Sequence, residues 1–363
     1  MSIKNDHRMR GLGLGLGLRH EDDSYKKLIN DYEPMEVLDE GSYGCVWKAI
    51  NKQSGDFVAI KELKDDFNCF SWKECLDLRE VKALRALNDH PNIVKLKQLI
   101  MEDNILYLVM ECMDMTLTQF IRNKVKKFVD SDEVRCVAIQ LFQALAHMHQ
   151  RGYFHRDLKP DNILVFDDVV KVADLGMARE VSTDGNEMYT KYVTTLWYRA
   201  PEVLLETPTY GPAVDMWAMG AIIAELFTSM PLFQGSSPID QIWKICSVIG
   251  SPTEETWEDG LDHAQETLNF AFPKKFDGVD KLAELVPNAD EDAISLIRWL
   301  CSWDDLKRPM AMEALRHPFF ANHYTVPKSI ATHGPNPSQA ASPTKRRNAK
   351  LYLIQEGTGC INF

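Results

Sequence analysis

Residues 153–164 read Y-F-H-R-D-L-K-P-D-N-I-L, a run in which charged side chains crowd between two apolar flanks, with Pro160 in its middle. Proline interrupts a helix, and closely spaced charges are costly to bury, so neither a helix interior nor a buried strand fits these residues. The pattern predicts a loop held between two core segments, and such loops commonly carry function. A charged surface turn without function is the alternative interpretation.

The segments on both sides of this loop support its placement. Residues 132–150 carry apolar side chains on one face of a helix, which predicts a helix leading directly into the loop. Residues 163–165 and 169–172 predict a hairpin after the loop, followed by Asp174-Leu175-Gly176. Polar residues without periodicity follow at 179–192, which predicts a mobile segment.

A second apolar stretch lies further along, at residues 214–227. It is apolar almost all round, which predicts a central buried helix. Asp215 lies within this helix, and a buried carboxylate needs hydrogen-bond donors. We expect backbone N–H groups of the charged loop to be those donors.

The N-terminal third predicts strands joined by turns. Residues 32–60 alternate apolar and polar side chains around two turns, the first of which contains Gly41 and Gly44. The absence of a Cβ there would let the backbone approach a phosphate closely. The motif G-x-G-x-x-G is incomplete, because Asp39 takes its first position. A simple hairpin turn and a nucleotide lid both remain open.

The third predicted strand ends in V-A-I-K, at residues 58–61. A lone Lys61 would most simply be a surface lysine. Residues 72–87 have apolar side chains mostly at helical spacing, which predicts a helix that carries Glu80, and a solvated glutamate is the alternative there. Residues 105–110 form a continuous apolar run, which predicts a buried strand.

Composition bounds the class of protein. The chain has 363 residues, 45% hydrophobic and 26% charged, as in a soluble globular protein of one large or two small domains. Its net charge of −12 argues against a general nucleic-acid binder. Its 8 cysteines include no C-x-x-C pair, which favours reduced thiols in the cytoplasm or nucleus over a disulfide framework or zinc site. No apolar run is long enough to predict a transmembrane segment.

The two ends of the chain differ from its middle. Residues 1–29 include four alternating Gly-Leu pairs and predict a flexible leader. Residues 321–363 are rich in Pro, Ser and Thr, carry a basic excess and predict a disordered tail, in which Lys345-Arg346-Arg347 could be a nuclear signal. The last residues fit C-a-a-X, so a prenyl anchor on Cys360 is an alternative, although Asn362 fits its aliphatic position poorly.

Four short motifs in this order resemble the protein kinase family. They are V-A-I-K at 58–61, H-R-D-L-x-x-x-N at 155–162, D-L-G at 174–176 and A-P-E at 200–202. The resemblance covers roughly residues 32–320. It implies an α+β fold of two lobes in a domain spanning residues 30–320. The N-lobe, about residues 30–110, would be an antiparallel sheet with one helix, and the C-lobe, about residues 114–320, would be mainly helical. Residues 111–113 would be the hinge between them.

The resemblance implies transfer of the γ-phosphate of ATP to Ser or Thr hydroxyls, with Mg²⁺ bound by Asn162 and Asp174. The alternatives are a pseudokinase scaffold and a kinase of small molecules. It also implies an ion pair between Lys61 and Glu80 and a structural pair between Glu202 and Arg308. The implied catalytic residues are Asp157, Lys159, Asn162 and Thr195. The implied ATP-binding residues are Gly41, Gly44, Val46, Ala59, Lys61, Glu80, Glu111, Met113 and Leu164.

Within that family, W-Y-R-A-P-E at 197–202 looks like the branch of cyclin-dependent and mitogen-activated kinases, and residues 72–82 resemble the male germ cell-associated kinase subgroup. The branch implies protein substrates with Ser/Thr-Pro sites and an upstream activating kinase. Thr190 and Tyr192 fall at its activation-segment phosphosites. The arginines implied to bind the phosphate are Arg79, Arg156 and Arg179.

Overall fold

The computed structural model describes residues 31–41, 44–63, 71–102, 104–124, 130–181, 195–321 and 359–363. An antiparallel sheet with two short helices forms the N-terminal part, and helices dominate the C-terminal part, as predicted for the two-lobed α+β fold. No described helix is long and apolar enough to cross a membrane. The predicted leader, residues 1–29, lies outside the described residues.

Six strands form the N-terminal sheet in the order β1-β2-β3-β5-β4-β11, with antiparallel neighbours throughout. One face is covered by a small apolar cluster that includes Trp47, Val58 and Ile60. Because side chains alternate along a strand, the opposite face is left for a cleft against the helical part. The strands are β1 Tyr32–Gly41, β2 Gly44–Asn51, β3 Phe57–Leu63, β4 Leu96–Glu102, β5 Ile105–Glu111 and β11 Gly359–Asn362.

The helix predicted over residues 72–87 is two helices, α1 (Trp72–Asp77) and α2 (Arg79–Leu87). Leu78 separates them with extended backbone angles, φ −59° and ψ 138°. Ser71 caps α1 by accepting a hydrogen bond from the amide of Glu74. The break restarts the helix at residue 79, so Glu80 lies in the first turn of α2, where its side chain is buried. Apolar spacing alone does not reveal a break of one residue.

The C-terminal part is built around α6, in which residues 214–227 are all buried, as their apolar pattern predicts. The amphipathic helix α4 packs against it, and the side chain of Asp130 caps the N-terminus of α4. The helices are α3 Leu117–Lys124, α4 Ser131–Gln150, α5 Pro201–Leu204, α6 Ala213–Thr228, α7 Pro238–Ile249, α8 Glu254–Leu268, α9 Leu282–Leu285, α10 Glu291–Leu300 and α11 Ala311–Ala314.

Short strands frame the loop between α4 and α6. β7 (Tyr153–Phe154) pairs with β10 (Arg179–Glu180), and β8 pairs with both β6 and β9. The predicted hairpin after the loop is therefore present. The remaining strands are β6 Met115–Thr116, β8 Ile163–Phe166 and β9 Val169–Val172.

The prediction of a disordered tail over residues 321–363 is wrong for its last residues. Gly359–Asn362 form β11, which pairs with β4 at the edge of the N-terminal sheet. The physical reason is the edge itself, because β4 has backbone donors and acceptors that an extended segment can satisfy. Composition carries no information about such a distant partner. Residues 322–358 lie outside the described part.

Candidate active site

A cluster of three charged side chains, of which Lys61 and Glu80 are buried, joins the sheet to the helical part. Lys61 Nζ lies 2.7 Å from Glu80 Oε1, 2.9 Å from Glu80 Oε2 and 2.9 Å from Asp174 Oδ1. The pairing of Lys61 with Glu80 confirms the expected ion pair and rules out the alternatives of a surface lysine and a solvated glutamate. One cation between two carboxylates leaves the cluster with a formal charge of −1.

The cluster perturbs the pKa of each member. Burial disfavours the charged lysine, but the charges of Glu80 and Asp174 outweigh it and raise the pKa of Lys61. Burial raises the pKa of Glu80, with a contribution from Asp174 against the opposing effect of Lys61. Burial also opposes ionisation of Asp174, yet Lys61 lowers the pKa of that carboxyl below its ordinary value. Lys61 and Asp174 are therefore ionised at neutral pH.

The backbone around Asp174 explains how the cluster is held. Asp174 has left-handed backbone angles, φ 55° and ψ 68°, which turn its side chain toward Lys61. Leu175 is fully buried in the main core and anchors the turn. A Cβ on Gly176 would lie 3.4 Å from a carboxylate oxygen of both Asp174 and Glu80, an ordinary van der Waals contact, so this position is packed directly against the two acids.

The predicted loop brings a second set of polar groups together. Lys159 Nζ lies 2.7 Å from Asp157 Oδ2, and Asn162 Nδ2 donates to the same oxygen at 3.2 Å. Asn162 Nδ2 also donates to the backbone oxygen of Asp157 at 2.8 Å, which ties the two ends of the loop together. Asp157 is thereby held between two donors.

Asp215, in the first turn of α6, holds the start of this loop. Its two carboxylate oxygens accept the amides of His155 at 2.8 Å and Arg156 at 2.9 Å, which confirms the donors expected from the sequence. His149 Nε2 lies 2.9 Å from the same carboxylate, a partner that the sequence pattern did not reveal. Burial opposes ionisation of Asp215, but the hydrogen bond and charge of His149, with smaller contributions from His155, lower its pKa. Arg156 consequently keeps a strained φ of 73°.

Three of the predicted nucleotide-binding residues share one face of the sheet. Val46 in β2 lies directly opposite Lys61 in β3, so their side chains project from the same face. Ala59 is two residues before Lys61 on β3 and also projects from that face. Val46 and Ala59 are half-buried, whereas the other face is closed by the small apolar cluster. These residues line the cleft side of the sheet.

The two predicted lid glycines lie at the ends of β1 and β2, where Gly41 pairs with Gly44. Gly44 has φ +148°, and a Cβ there would collide with the backbone carbonyl of Glu62 on β3. Glycine at 44 is therefore required by the approach of two strands, which accounts for it without any ligand.

The end of β5 and the residues after it combine a fixed side chain with an available backbone amide. The side chain of Glu111 accepts the amide of Lys95 and the ammonium of Lys171, each at 2.7 Å. The amide of Met113 makes no hydrogen bond to any residue that the structure describes. Leu164 on β8 is half-buried against the main core. An available amide beside an apolar wall suits recognition of a flat heterocycle.

The residues predicted to bind Mg²⁺ are Asn162 and Asp174. Within the described ranges no group of three His, Cys, Asp or Glu side chains could hold a metal ion. Mg²⁺, however, commonly takes one or two carboxylates and completes its shell with water and substrate phosphate oxygens. Asn162 uses its Nδ2 on Asp157, which leaves its amide oxygen for a cation. The ionised Asp174 fits the same role.

A pocket opens beside the loop. Its wall includes Asp157, Lys159, Thr195 and Arg199. Thr195 is exposed and makes no hydrogen bond to Asp157 or Lys159. The carboxylate of Asp157, on a side chain that is 10% exposed, thus lines this pocket together with Lys159. The other lining residues are Arg156, Leu158, Tyr198, Ala200, Val203, Val214, Asp215 and Ala218.

The three arginines predicted to bind a phosphate occupy different settings. Arg79 is exposed at the start of α2, and Arg179 is buried in β10. Arg156 Nη2 donates to the hydroxyl of Tyr210 at 2.6 Å, and its guanidinium stacks 5.5 Å from that ring. Thr190 and Tyr192, the predicted phosphosites, lie outside the described residues.

Comparison with known proteins agrees with this geometry. A family model described as "Protein kinase domain" matches residues 32–320. The chain is 52% identical over 302 residues to cyclin-dependent kinase F-4 of Oryza sativa subsp. japonica, covering 83% of this chain and 64% of the relative. It is 45% identical over 293 residues to the serine/threonine-protein kinase MAK of Mus musculus, covering 80% and 46%.

A third relative, a probable serine/threonine-protein kinase of Dictyostelium discoideum, is 44% identical, and the match covers 91% of this chain and 62% of the relative. The chain thus spans less than two thirds of the length of these three relatives. Family membership rests on the match to nearly all of the described sheet and helices. The chain belongs to the protein kinase family and, within it, is similar to F-type cyclin-dependent kinases and MAK-type serine/threonine kinases.

Proposed function

We propose that the chain is an ATP-dependent serine/threonine protein kinase. The observation that carries the proposal is the presence of two complete charged clusters, one formed by Lys61, Glu80 and Asp174, the other by Asp157, Lys159 and Asn162. A pseudokinase scaffold would not need both. The similar proteins named as serine/threonine-protein kinases support the choice of acceptor.

In the proposed reaction the oxygen of a Ser or Thr hydroxyl forms a bond to the γ-phosphorus of ATP. The bond from that phosphorus to the bridging oxygen breaks, and ADP leaves with the electron pair. The hydroxyl proton passes to the carboxylate of Asp157, which Lys159 and Asn162 hold in place. Lys159 also offers positive charge where negative charge develops on the transferred group.

Lys61 would bind phosphate oxygens of the nucleotide, braced by Glu80. Mg²⁺, held by Asn162 and Asp174, would neutralise the phosphate charge. The half-buried Val46, Ala59 and Leu164 would contact the adenine ring, with backbone groups of Glu111 and Met113 forming its hydrogen bonds.

The first test is transfer of radiolabelled phosphate from Mg-ATP to a generic basic protein, with Asp157→Asn as the matched control. Loss of the proton-accepting carboxylate is expected to lower kcat by about 10²- to 10⁴-fold while the fold is retained. The absence of transfer by the unaltered chain, even after treatment with an activating kinase, would instead favour the pseudokinase scaffold.

We also propose that the acceptor is followed by proline. The pocket beside Asp157 includes Arg199, which lies in the W-Y-R-A-P-E stretch typical of the proline-directed branch. Two peptides that differ only in Ser-Pro against Ser-Ala test this preference. Preferential transfer to the Ser-Pro peptide is expected, and equal rates for the two peptides would contradict it.

Activation is proposed to occur by phosphorylation of Thr190 by an upstream kinase. A phosphate adds close to two negative charges, and the arginines at 79, 156 and 179 supply the matching positive charge. Thr190→Ala is expected to keep a low basal rate that the upstream kinase no longer raises. Tyr192→Phe provides the comparison and is expected to be activated normally. In the family pattern only one arginine, Arg199, is available to bind a phosphate on that tyrosine. Full activity of Thr190→Ala would reject this switch.

A further inference from the structure

The outermost strand of the N-terminal sheet comes from the far end of the described chain. β11 pairs antiparallel with β4, with Gly359 opposite Met101 and Ile361 opposite Leu99. On its other side β4 already pairs with β5. β11 therefore satisfies a row of backbone N–H and C=O groups that β4 would otherwise present at an open edge. This edge takes an extended peptide by adding it as a strand.

Two side chains of the final segment extend the contact beyond the backbone. Ile361 is half-buried and packs against the main apolar core, to which the fully buried Leu99 belongs. The ring of Phe363 lies 5.7 Å from the guanidinium carbon of Arg85, and the amide of Phe363 donates to the oxygen of Lys97 at 3.0 Å. An apolar residue and an aromatic residue two positions apart thus anchor the strand on one side.

Arg85 connects the segment to the candidate active site. It belongs to α2, the same helix that presents Glu80 to Lys61 at 2.7 Å. The final segment contacts β4 through its backbone and α2 through Phe363, so it bridges the sheet and this helix. Because α2 is only 9 residues long and follows a break at Leu78, a contact near its C-terminus restrains its position.

We propose that the β4 edge and Arg85 form a docking surface, the β4 docking edge, whose occupant is residues 359–363 of the same chain. The docked segment holds α2 where Glu80 meets Lys61. The effect on activity rests on the proposed kinase function, whereas the docking itself does not.

Because residues 359–363 belong to the same chain as β4, even so short a strand can stay docked. With an effective concentration of about 1 mM for a segment of the same chain, an intrinsic Kd of about 0.1 mM would give about a 10:1 ratio of docked to undocked states. A Kd in this range would keep the contact formed in the intact chain and let a competing extended peptide displace it.

The docking is tested by hydrogen exchange of β4 in the full chain and in a chain ending at residue 358. The truncation is expected to speed exchange of the β4 amides about tenfold, in proportion to the docked ratio above. A synthetic peptide of residues 355–363 at 1 mM is expected to restore the protection, while exchange in the central strand β3 stays unchanged. Equal exchange of β4 in the two chains would overturn the proposal.

Single substitutions distinguish the effect of losing the Arg85–Phe363 contact from the effect of losing any exposed aromatic ring on the sheet. Phe363→Ala and Arg85→Ala are each expected to speed β4 exchange by about threefold, since each removes the cation–ring contact. Phe57→Ala is the matched control, because this ring is also exposed on the sheet and lies 4.8 Å from the ammonium of Lys48. If β4 exchanged at the same rate in all three variants, the Arg85–Phe363 contact would make no contribution to docking.

The effect on α2 is read from phosphate transfer. Truncation at residue 358 is expected to lower kcat/KM for ATP by about 3- to 10-fold, and the added peptide of residues 355–363 is expected to restore it. Faster β4 exchange with unchanged kcat/KM would show docking without support of α2. If the full chain transfers no phosphate at all, the proposed function fails, and the exchange experiment still decides the docking.

Discussion

Two buried ion pairs, one in each part of the molecule, differ in whether their charges are fully matched. Glu202 and Arg308 have side chains only 4% and 0% exposed, and the two guanidinium nitrogens each meet one carboxylate oxygen, at 2.6 and 2.7 Å. Backbone oxygens, including that of Ser302, take further donors of Arg308. Every charge in this pair is matched, as expected for a structural role.

The pair of Lys61 and Glu80 is not matched in this way. Asp174 adds a second carboxylate to the single cation, and its side chain is 33% exposed toward the cleft. The excess negative charge and the opening to solvent make this cluster able to receive a cation. The comparison teaches that burial alone does not distinguish the two roles, whereas unmatched charge at an opening does.

The largest expected effect comes from breaking the matched pair. Arg308→Ala leaves Glu202 buried without its partner and is expected to lower the free energy of unfolding by about 3–5 kcal/mol. Arg308→Lys keeps the charge but not the two-pronged geometry, so its loss should be smaller. Denaturant unfolding measures both, and a loss below about 1 kcal/mol for Arg308→Ala would contradict the structural role.

The unmatched cluster should respond in activity more than in stability. Lys61→Met is expected to lower kcat for phosphate transfer by about 10²- to 10³-fold, because one positive charge for the phosphates is lost. Its free energy of unfolding should change less than that of Arg308→Ala, since burial already raises the pKa of Glu80, which can take up a proton, and Asp174 is partly open to solvent. A mutant that unfolds as readily as Arg308→Ala would show that the cluster is mainly structural.

A third buried carboxylate sharpens the comparison, because its partner is uncharged. Glu225 accepts the hydroxyl of Tyr198 at 2.6 Å, and burial raises the pKa of Glu225 from 4.5 to about 7. The unfolded chain then releases this proton at a lower pH than the folded one. Stability from this group is present below about pH 4.5 and is lost as pH rises to about 7, by at most about 3 kcal/mol.

Glu225→Gln removes that titration while keeping an oxygen for Tyr198. The loss of unfolding free energy between pH 5 and pH 8 is therefore expected to be smaller in the variant than in the unaltered chain. Chemical denaturation at both pH values measures the difference. Equal pH dependence in the two proteins would mean that Glu225 titrates at an ordinary pKa.

The smallest effect is expected at a solvent-exposed pair. Arg298 and Asp280 lie 2.8 Å apart, but their side chains are 51% and 48% exposed. Solvent and salt screen such a pair, so Arg298→Ala should cost less than about 1 kcal/mol. Thermal unfolding at low and high salt measures this loss of stability. A loss approaching that of Arg308→Ala would show that burial does not decide how much an ion pair contributes to stability.

The sequence predicted most of the charged machinery because its members lie in short motifs. The partners of Lys61 and of Arg308 are far away in the chain, yet the order of motifs assigned Glu80 and Glu202 to them, and both pairs are present. The loop donors to Asp215 followed from a simple requirement, since a buried carboxylate must be satisfied.

Features that depend on how distant parts of the backbone meet could not be predicted from the sequence. The break at Leu78 leaves the apolar spacing of residues 72–87 almost unchanged. Gly44 fitted a phosphate-binding lid, but its contact with the Glu62 carbonyl depends on how two strands approach. The contact of His149 with Asp215 joins residues 66 positions apart, and β11 joins residues still further apart. No local pattern records these pairings.

The final strand also covers an edge through which two molecules could pair. An uncovered β4 would offer its backbone to the same edge of a second molecule, and open edges of this kind promote self-association. The chain ending at residue 358 should therefore associate in a concentration-dependent way that the full chain avoids. Five residues at the sheet edge would thus limit self-association as well as pair with β4.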